Sequence, residues 1–189
     1  MTKEEIIQRV LDGAGAEFGA RTAAMHINDV FNSVAGQLFA RDPNQFQFYT
    51  KRITLIVSNR VATITIPLIQ TSVNSRGVIR IMPTGADSDC LPDHTEFWPM
   101  PSYALRSSVD ANKLSWAVFY TVTANTVRFN DSLPAKVTRL LADVAPEFQG
   151  WGNTDFIPMP AGVGQMIIDG SIAAMKGDPA YVNIFKRKS

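Results

Sequence analysis

The chain has little of what many functional classes require. Its 189 residues include one cysteine, Cys90, and two histidines. A lone cysteine excludes an intramolecular disulfide, and a reducing cytosol tolerates it. Lys and Arg number 18 against 17 Asp and Glu, so the formal net charge is +1 and provides no basic field for holding a polyanion. Nucleic-acid binding as a main task is therefore disfavoured.

Long apolar runs are also lacking. Residues 1–5 are acidic and lack the apolar core of a secretory signal. No stretch approaches the roughly 20 apolar residues that are needed to span a bilayer. We therefore expect a protein made in the cytoplasm, with no membrane as a partner. Charged residues make up 19% of the chain, below the roughly 25% typical of soluble domains, so part of the surface is expected to face protein.

Three helices are predicted. A capping box formed by Thr2 and Glu5 opens the first helix. Apolar residues at i, i+3, i+4, i+7 and i+11 from Ile27 mark the second helix, which Asp42-Pro43 stops. Gly177 ends the third helix. The predicted helices cover about residues 3–12, 22–41 and 161–176.

The region of about 52–144 is predicted to be rich in β-structure. Alternation of apolar and polar residues indicates a hairpin, a short strand, a second hairpin and a further strand. The last segment also fits a helix, so periodicity alone does not decide it, and we expect a strand. Residues 84–112, with many Ser, Asp and Pro, indicate a long irregular loop. The predicted strands are 53–57, 62–66, 78–82, 116–122, 127–129 and 136–144.

These elements predict an α+β fold. We expect the N-terminal helices and the C-terminal helix to form a helical part that packs with an antiparallel, hairpin-based or sandwich-like β part. The length suits one structural domain over 1–189 with a tail at 179–189.

Candidate catalytic and metal-binding residues are few. An acidic loop brings a cysteine, a histidine and three aspartates close in sequence, which is conceivable as a metal cluster or a nucleophile with its base. A structural zinc site typically needs four ligands in paired spacings, and the other histidine, His26, lies in a distant helix. A solvated acidic loop is the favoured interpretation. The loop residues are Asp87, Asp89, Cys90, Asp93 and His94.

Other motifs favour structural roles. The glycines of 162–164 lack both the dinucleotide-binding pattern and the phosphate-loop lysine, so we expect them to permit turns or close helix packing. The basic residues of 186–188 are expected to be a solvated tail, with contact to DNA as an alternative. Trp98, Trp116 and Trp151 keep open a small ligand-binding module. No cofactor, metal or catalytic residue is predicted.

The third helix and the segment behind it are the candidate interface. The helix is apolar on two sides, so it is either wholly internal or covered on one side by another subunit. A terminus that holds apolar residues usually docks on something. The candidate interface residues, toward a neighbouring subunit or another protein, are Met166, Ile168, Ile172, Met175, Tyr181, Ile184 and Phe185.

The order of elements over about 22–179 resembles a known family. Four features follow one another: a strand pair closing in Pro67, a short returning strand at 126–129, an extended segment at 136–144, and an Asp-x-x-Pro element at 155–158 that opens the last helix. This order resembles the head-to-tail adaptor (connector) family of tailed bacteriophages, of the short-tailed type. The chain departs from the family in its long 84–112 loop and in lacking the usual aromatic ending on the strand near 141.

The resemblance implies a virion structural protein rather than an enzyme. Such a protein forms a ring, commonly of twelve subunits, that connects the portal vertex of the capsid to the tail and lines the DNA passage. It implies other copies of the chain, a portal protein and a tail or nozzle protein as partners, and a location at the portal–tail junction of the virion. The alternatives are another tail, baseplate or capsid-associated virion protein, or a small enzyme at Cys90 and His94.

Overall fold

The chain forms two compact units. The structure is a computed structural model that describes residues 1–15, 17–41, 49–69, 77–84, 91, 94–100 and 117–178. A helical unit comprises Met1–Tyr49 and Glu147–Ser189, and a β unit comprises Thr50–Pro146. The described residues form three α-helices and a seven-stranded mixed sheet, which confirms the α+β class. The prediction of one structural domain over the whole chain stays a prediction.

The first helix, α1, covers Lys3–Ala14 and begins at the predicted capping box. The Glu5 backbone N–H donates to the Thr2 hydroxyl at 3.2 Å, and the Thr2 N–H donates to the Glu5 carboxylate at 2.8 Å. These reciprocal bonds satisfy two backbone donors that a helix start leaves without partners. Gly15, with a φ of 125°, ends the helix two residues later than predicted.

The second helix, α2, covers Ala20–Arg41, close to the predicted 22–41. Its buried stripe includes Ile27 and Phe31, neither of which is exposed. The Phe31 ring meets Tyr49 at 6.3 Å and Phe148 at 5.8 Å between ring centroids. Phe148 opens a short 3₁₀ turn, Phe148–Gly150. These three aromatic rings form one centre of the helical core.

The C-terminal helix, α3, covers Val163–Met175 and packs against both α1 and α2. A Cβ added at Gly13 would collide with Ile172, and one added at Gly164 would collide with Met1. The start of α1 thus lies beside the start of α3, and the end of α1 lies beside the last turns of α3. The two helices therefore run parallel. Turns or close helix packing were predicted for the glycines of 162–164. Gly164 lies against the side chain of Met1, which precedes α1, so close helix packing at this glycine stays a prediction.

The β unit contains one curled sheet of strand order β3-β7-β1-β2-β6-β5-β4. Its outer strands, β3 and β4, also contact each other. A continuous apolar cluster fills the inner side, as expected for a sheet that folds back around its own core. The strands are β1 Lys51–Ser58, β2 Val61–Thr63, β3 Val78–Pro83, β4 Glu96–Pro99, β5 Ala117–Thr123, β6 Thr126–Phe129 and β7 Arg139–Val144.

The segment that fitted both helix and strand is a strand. Its inward residues Leu140, Ala142 and Val144 are completely buried. β7 pairs antiparallel with β1 on one side and with β3 on the other. Pairing on both sides satisfies the backbone along its length. The buried residues alternate with the outward Arg139, Leu141 and Asp143, and Leu141 is the apolar outward residue that also fitted a helical period.

Three expectations for the β part are wrong. The 84–112 segment contains a strand, β4, at Glu96–Pro99. This strand pairs parallel with β5, so the sheet is mixed rather than wholly antiparallel. The strand predicted at 62–66 ends at Thr63, which pairs with Thr126, the first residue of β6. Beyond Thr63 no further residue of β6 remains to continue the ladder.

The first hairpin turns through Asn59 and Arg60. Their φ angles are 50° and 62°, the left-handed values that a two-residue turn between twisted strands requires. The Arg60 side chain donates to the Leu133 carbonyl at 2.8 Å and to the Asp131 carboxylate at 2.7 Å. The turn is therefore tied to the segment that follows β6. No helix in the described part of the chain is both long and apolar enough to cross a membrane.

Candidate interaction surfaces

The described part of the acidic loop contains no cluster of metal-binding side chains. His94 is exposed, and the residues at 85–90 and 92–93, including Cys90 and the three aspartates, lie outside the described residues. The described ranges contain no group of three or more His, Cys, Asp or Glu side chains that could hold a metal ion. His26 is partly buried on α2, far in sequence from His94.

The other sequence candidates belong to different units or lie outside the described residues. Trp98 lies in the β unit, half exposed, and its indole N–H donates to Glu96 at 3.1 Å. Trp151 lies buried in the helical unit, and Trp116 lies outside the described residues. Gly162 has a φ of 83° and precedes α3, so it serves as the predicted turn glycine. The basic residues of 186–188 lie beyond the described part of the chain.

The two apolar sides of α3 are largely occupied by its own unit. Ile168 and Met175 are buried, and Ile172 is partly buried against Gly13. Met166 is 59% exposed. Contact with both α1 and α2 accounts for two apolar sides without a partner. The tail residues Tyr181, Ile184 and Phe185 lie outside the described residues, and the interface role of the whole set stays a prediction.

The N-terminus is held by the segment that precedes α3. Thr2 forms an antiparallel bridge with Phe156, and the Ile157 N–H donates to the Met1 carbonyl at 2.9 Å. The Lys3 ammonium donates to the Trp151 carbonyl at 2.9 Å and lies 5.5 Å from the centre of the Phe148 ring. We call residues 1–5 together with 151–157 the N-terminal clasp.

The clasp exposes an aromatic side chain among carboxylates. Phe156 is 67% exposed although both of its chain neighbours are fixed. Glu4 and Glu5 are exposed in the first turn of α1, and the Glu4 N–H donates to the Asn153 carbonyl at 3.1 Å. Asp155 accepts the Gly152 N–H at 2.8 Å, which fixes the loop before Phe156. The result is an apolar ring on an ordered, acidic surface.

The outer side of β3, β7 and β1 exposes a second patch. Residues of the three strands that lie directly across from one another form rows on this side. One row is Arg80, Asp143 and Arg52; the next is Met82, Leu141 and Thr54; in a third, Arg139 lies opposite Ile56. Ile56 is 62% exposed, while Met82 and Leu141 are partly exposed. We call this set of eight residues the arginine face.

One carboxylate organises the arginine face. The Arg52 guanidinium binds Asp143 through two bonds, Nε to Oδ1 at 2.8 Å and Nη2 to Oδ2 at 3.1 Å. These bonds, together with the negative charge of Asp143, raise the pKa of Arg52. Arg80 and Arg139 are exposed and form no ion pair with a carboxylate in the described ranges. The face therefore retains positive charge around its apolar residues.

The two units differ in the sign of their charge. Among the described residues the helical unit contains nine Asp and Glu against five Lys and Arg, whereas the β unit contains three against seven. Over the full sequence the counts are ten against eight in the helical unit and seven against ten in the β unit, so the near-neutral total hides a difference of the same sign. It places the acidic clasp and the arginine face on surfaces of opposite sign, which favours contact between them in different molecules.

Both patches were missed in the sequence. The outward residues of β1 and β7 alternate with the buried ones, so Arg52, Ile56 and Leu141 follow from the period once both strands are known. Phe156 lies in the Asp-x-x-Pro element, where no periodicity marks it as exposed. Neither a protein-family model nor a curated protein matches the chain.

Proposed function

We propose that the chain is a virion structural protein that forms a ring between the portal vertex and the tail of a short-tailed bacteriophage. The order of its elements supports this function. Two N-terminal helices precede a β-rich region, and the 155–158 element precedes the final helix, as in the adaptor family that the sequence resembles.

The observation that carries the proposal is the pair of exposed apolar patches set in opposite charge. Phe156 and Ile56 are each more than 60% exposed, one on the acidic helical unit and one on the basic β unit. Exposed apolar side chains with a polar rim are typical of protein–protein contact surfaces, where aromatic residues, methionine and arginine are enriched. A subunit that contacts different neighbours on different sides needs at least two such surfaces.

In this function the partners are other copies of the chain, a portal protein, and a tail or nozzle protein. The resemblance to the adaptor family implies a ring of twelve subunits. DNA passes through the ring without being read in sequence, and no catalytic residue or cofactor takes part. The protein is made in the host cytoplasm and resides at the portal–tail junction of the virion.

The C-terminal tail supplies the most direct test. We propose that Tyr181, Ile184 and Phe185 dock on the portal or a neighbouring subunit, supported by α2 and α3. A chain ending at Asp178 retains every described element of the fold. We expect it to melt within about 2 °C of the full chain, since no described core residue is removed, but to lose co-sedimentation with the portal protein of its phage.

A matched variant distinguishes the contribution of the tail's apolar residues to portal binding from that of its basic residues. Replacing the three basic residues of 186–188 by glutamine leaves Tyr181, Ile184 and Phe185 in place, and we expect it to co-sediment with the portal. Normal co-sedimentation by the chain that ends at Asp178 contradicts the role of the tail. Absence of portal binding by the full-length chain, with rings also absent under negative stain, contradicts the proposed function.

A further inference from the structure

The clasp and the arginine face have complementary properties. The clasp presents an exposed aromatic ring beside carboxylates. The arginine face presents the exposed Ile56 and the partly exposed Met82 and Leu141 beside guanidinium groups. Each patch is exposed in the chain that contains it. The chemistry that each patch requires of an occupant is present on the other patch.

The clasp is ordered before any partner binds. The bridge between Thr2 and Phe156 and the bond from the Ile157 N–H to the Met1 carbonyl fix the backbone on both sides of the ring. Because the backbone is fixed, docking of Phe156 costs the conformational entropy of one side chain with two rotatable bonds. Aromatic side chains on rigid supports are frequent anchors of protein interfaces.

The arginine face contains apolar side chains over an area that an aromatic ring can cover. Leu141 lies directly between Met82 on β3 and Thr54 on β1, and the neighbouring strands are about 4.8 Å apart. Ile56 lies in the next row, opposite Arg139. An aromatic ring placed over Leu141 covers apolar groups on all three strands, with Arg80 to one side and Arg139 to the other.

The charges agree with the same placement. Glu4 is exposed, and its side chain has no bond within the described part of the chain. Arg80 and Arg139 are likewise exposed and without an ion pair there. Contact between the patches gives these groups partners of opposite charge, whereas contact between two clasps or between two arginine faces places like charges together.

We infer that the N-terminal clasp of one copy of this chain docks on the arginine face of the next copy, with Phe156 seated over Leu141. This inference rests on the proposed function, since it names the self-interface of the assembly. The two surfaces differ, so each copy retains one free clasp and one free arginine face. Such head-to-tail contacts build either a closed ring or an open filament.

Photocrosslinking from residue 156 tests the contact directly. Full-length chain with the photoreactive analogue p-benzoylphenylalanine in place of Phe156 is mixed in equal amounts from normal and heavy-isotope cultures, illuminated and digested. We expect crosslinks between light and heavy peptides that join residue 156 to β1, β3 or β7. The same analogue at Met25, which is 60% exposed on α2 of the same unit, serves as the control and should not reach these strands.

Charge exchange tests the partner residues. We expect Phe156→Ser to lower the association constant between copies about 30-fold in sedimentation velocity, as for an interface anchor. The pair Arg80→Glu with Arg139→Glu should weaken association, Glu4→Lys should also weaken it, and mixing these two variants should restore association. Arg128→Glu, an exposed arginine on β6 outside the face, is the matched control.

The outcomes distinguish this inference from the function on which it rests. Absence of light–heavy crosslinks from residue 156, or crosslinks between copies that reach only other elements, overturns the inference. Portal co-sedimentation by the wild-type chain is measured separately. A chain that binds the portal but fails the crosslinking test retains the proposed function, and one that crosslinks as expected but binds no portal retains the self-interface alone.

Discussion

The helical unit and the β unit bury their apolar side chains by different kinds of contact. The helical unit is discontinuous in sequence, since Met1–Tyr49 and Glu147–Ser189 come together around α3. The β unit is one continuous segment, but its neighbouring strands are often distant in sequence, as where β7 lies between β1 and β3. Helix formation here depends on local sequence pattern, whereas sheet formation depends on which partner strands become available.

The largest expected effect comes from removing a core side chain in either unit. Leu140 on β7 is completely buried, and Leu140→Ala should lower the free energy of unfolding of the β unit by about 2–5 kcal/mol through lost burial and a cavity. Urea titration followed by methyl NMR resolves the two units. We expect methyl groups of the β unit to lose their native signals at lower urea than in the wild type.

The counterpart in the helical unit is Ile167→Ala, at a side chain on α3 that is 1% exposed. If the units unfold independently, each variant shifts the midpoint of its own unit. A common shift of both midpoints by either variant shows that the units unfold together, which would support the prediction of one structural domain and remove the thermodynamic side of the comparison.

Much of the helical unit could be predicted from sequence because its signals are local. The Thr2 and Glu5 capping box lies within four residues, and the period that starts at Ile27 lies within one helix. β4 could not be predicted in the same way. Its four residues carry too short an alternation to be distinguished from a loop, and its parallel partner β5 lies about twenty residues further along the chain.

The candidate surfaces were harder to predict than the fold. The sequence directed attention to α3 and the tail, because apolar residues there exceed what one helix face needs. Packing of α3 against both α1 and α2 explains most of that excess. The exposure of Phe156 depends instead on a backbone bridge to Thr2, across 154 residues of sequence, and no local pattern reports such a contact.

Two glycines with similar backbone angles, one in each unit, differ in the space around them. Gly77 in the β unit has a φ of 86°, and an added Cβ would lie 2.6 Å from the Ile69 carbonyl oxygen. Gly162 in the helical unit has a φ of 83°, with nothing within 4 Å of an added Cβ. The two positions share the left-handed strain of a substitution and differ in the space around it.

We expect Gly77→Ala to destabilise the β unit by about 2–4 kcal/mol, because backbone strain and a collision with backbone atoms add together. Gly162→Ala should cost the helical unit about 1 kcal/mol, from left-handed strain alone. Urea midpoints of each unit provide the measurement. Equal costs at the two positions would mean that the backbone around Gly77 yields to the methyl group, and that packing there is looser than the contacts indicate.

The smallest expected effect is the pH dependence of stability, and it also differs between the two units. Burial raises the pKa of Tyr49 in the helical unit to about 12, and burial also raises the pKa of Tyr120 in the β unit. An unfolded chain releases a tyrosine proton near pH 10. Because the folded pKa is the higher one, the stabilising contribution is complete below about pH 10 and is lost as pH rises toward the folded pKa.

Tyr49→Phe keeps the ring that meets Phe31 at 6.3 Å and removes the ionisable group. We expect this variant to flatten the alkaline decline in stability of the helical unit between about pH 10 and 12, while the decline of the β unit is unchanged. Tyr120→Phe should do the reverse. Methyl NMR during urea titration at a series of pH values measures both declines, and an equal response of the two units to either variant would show that they are coupled through one unfolding transition.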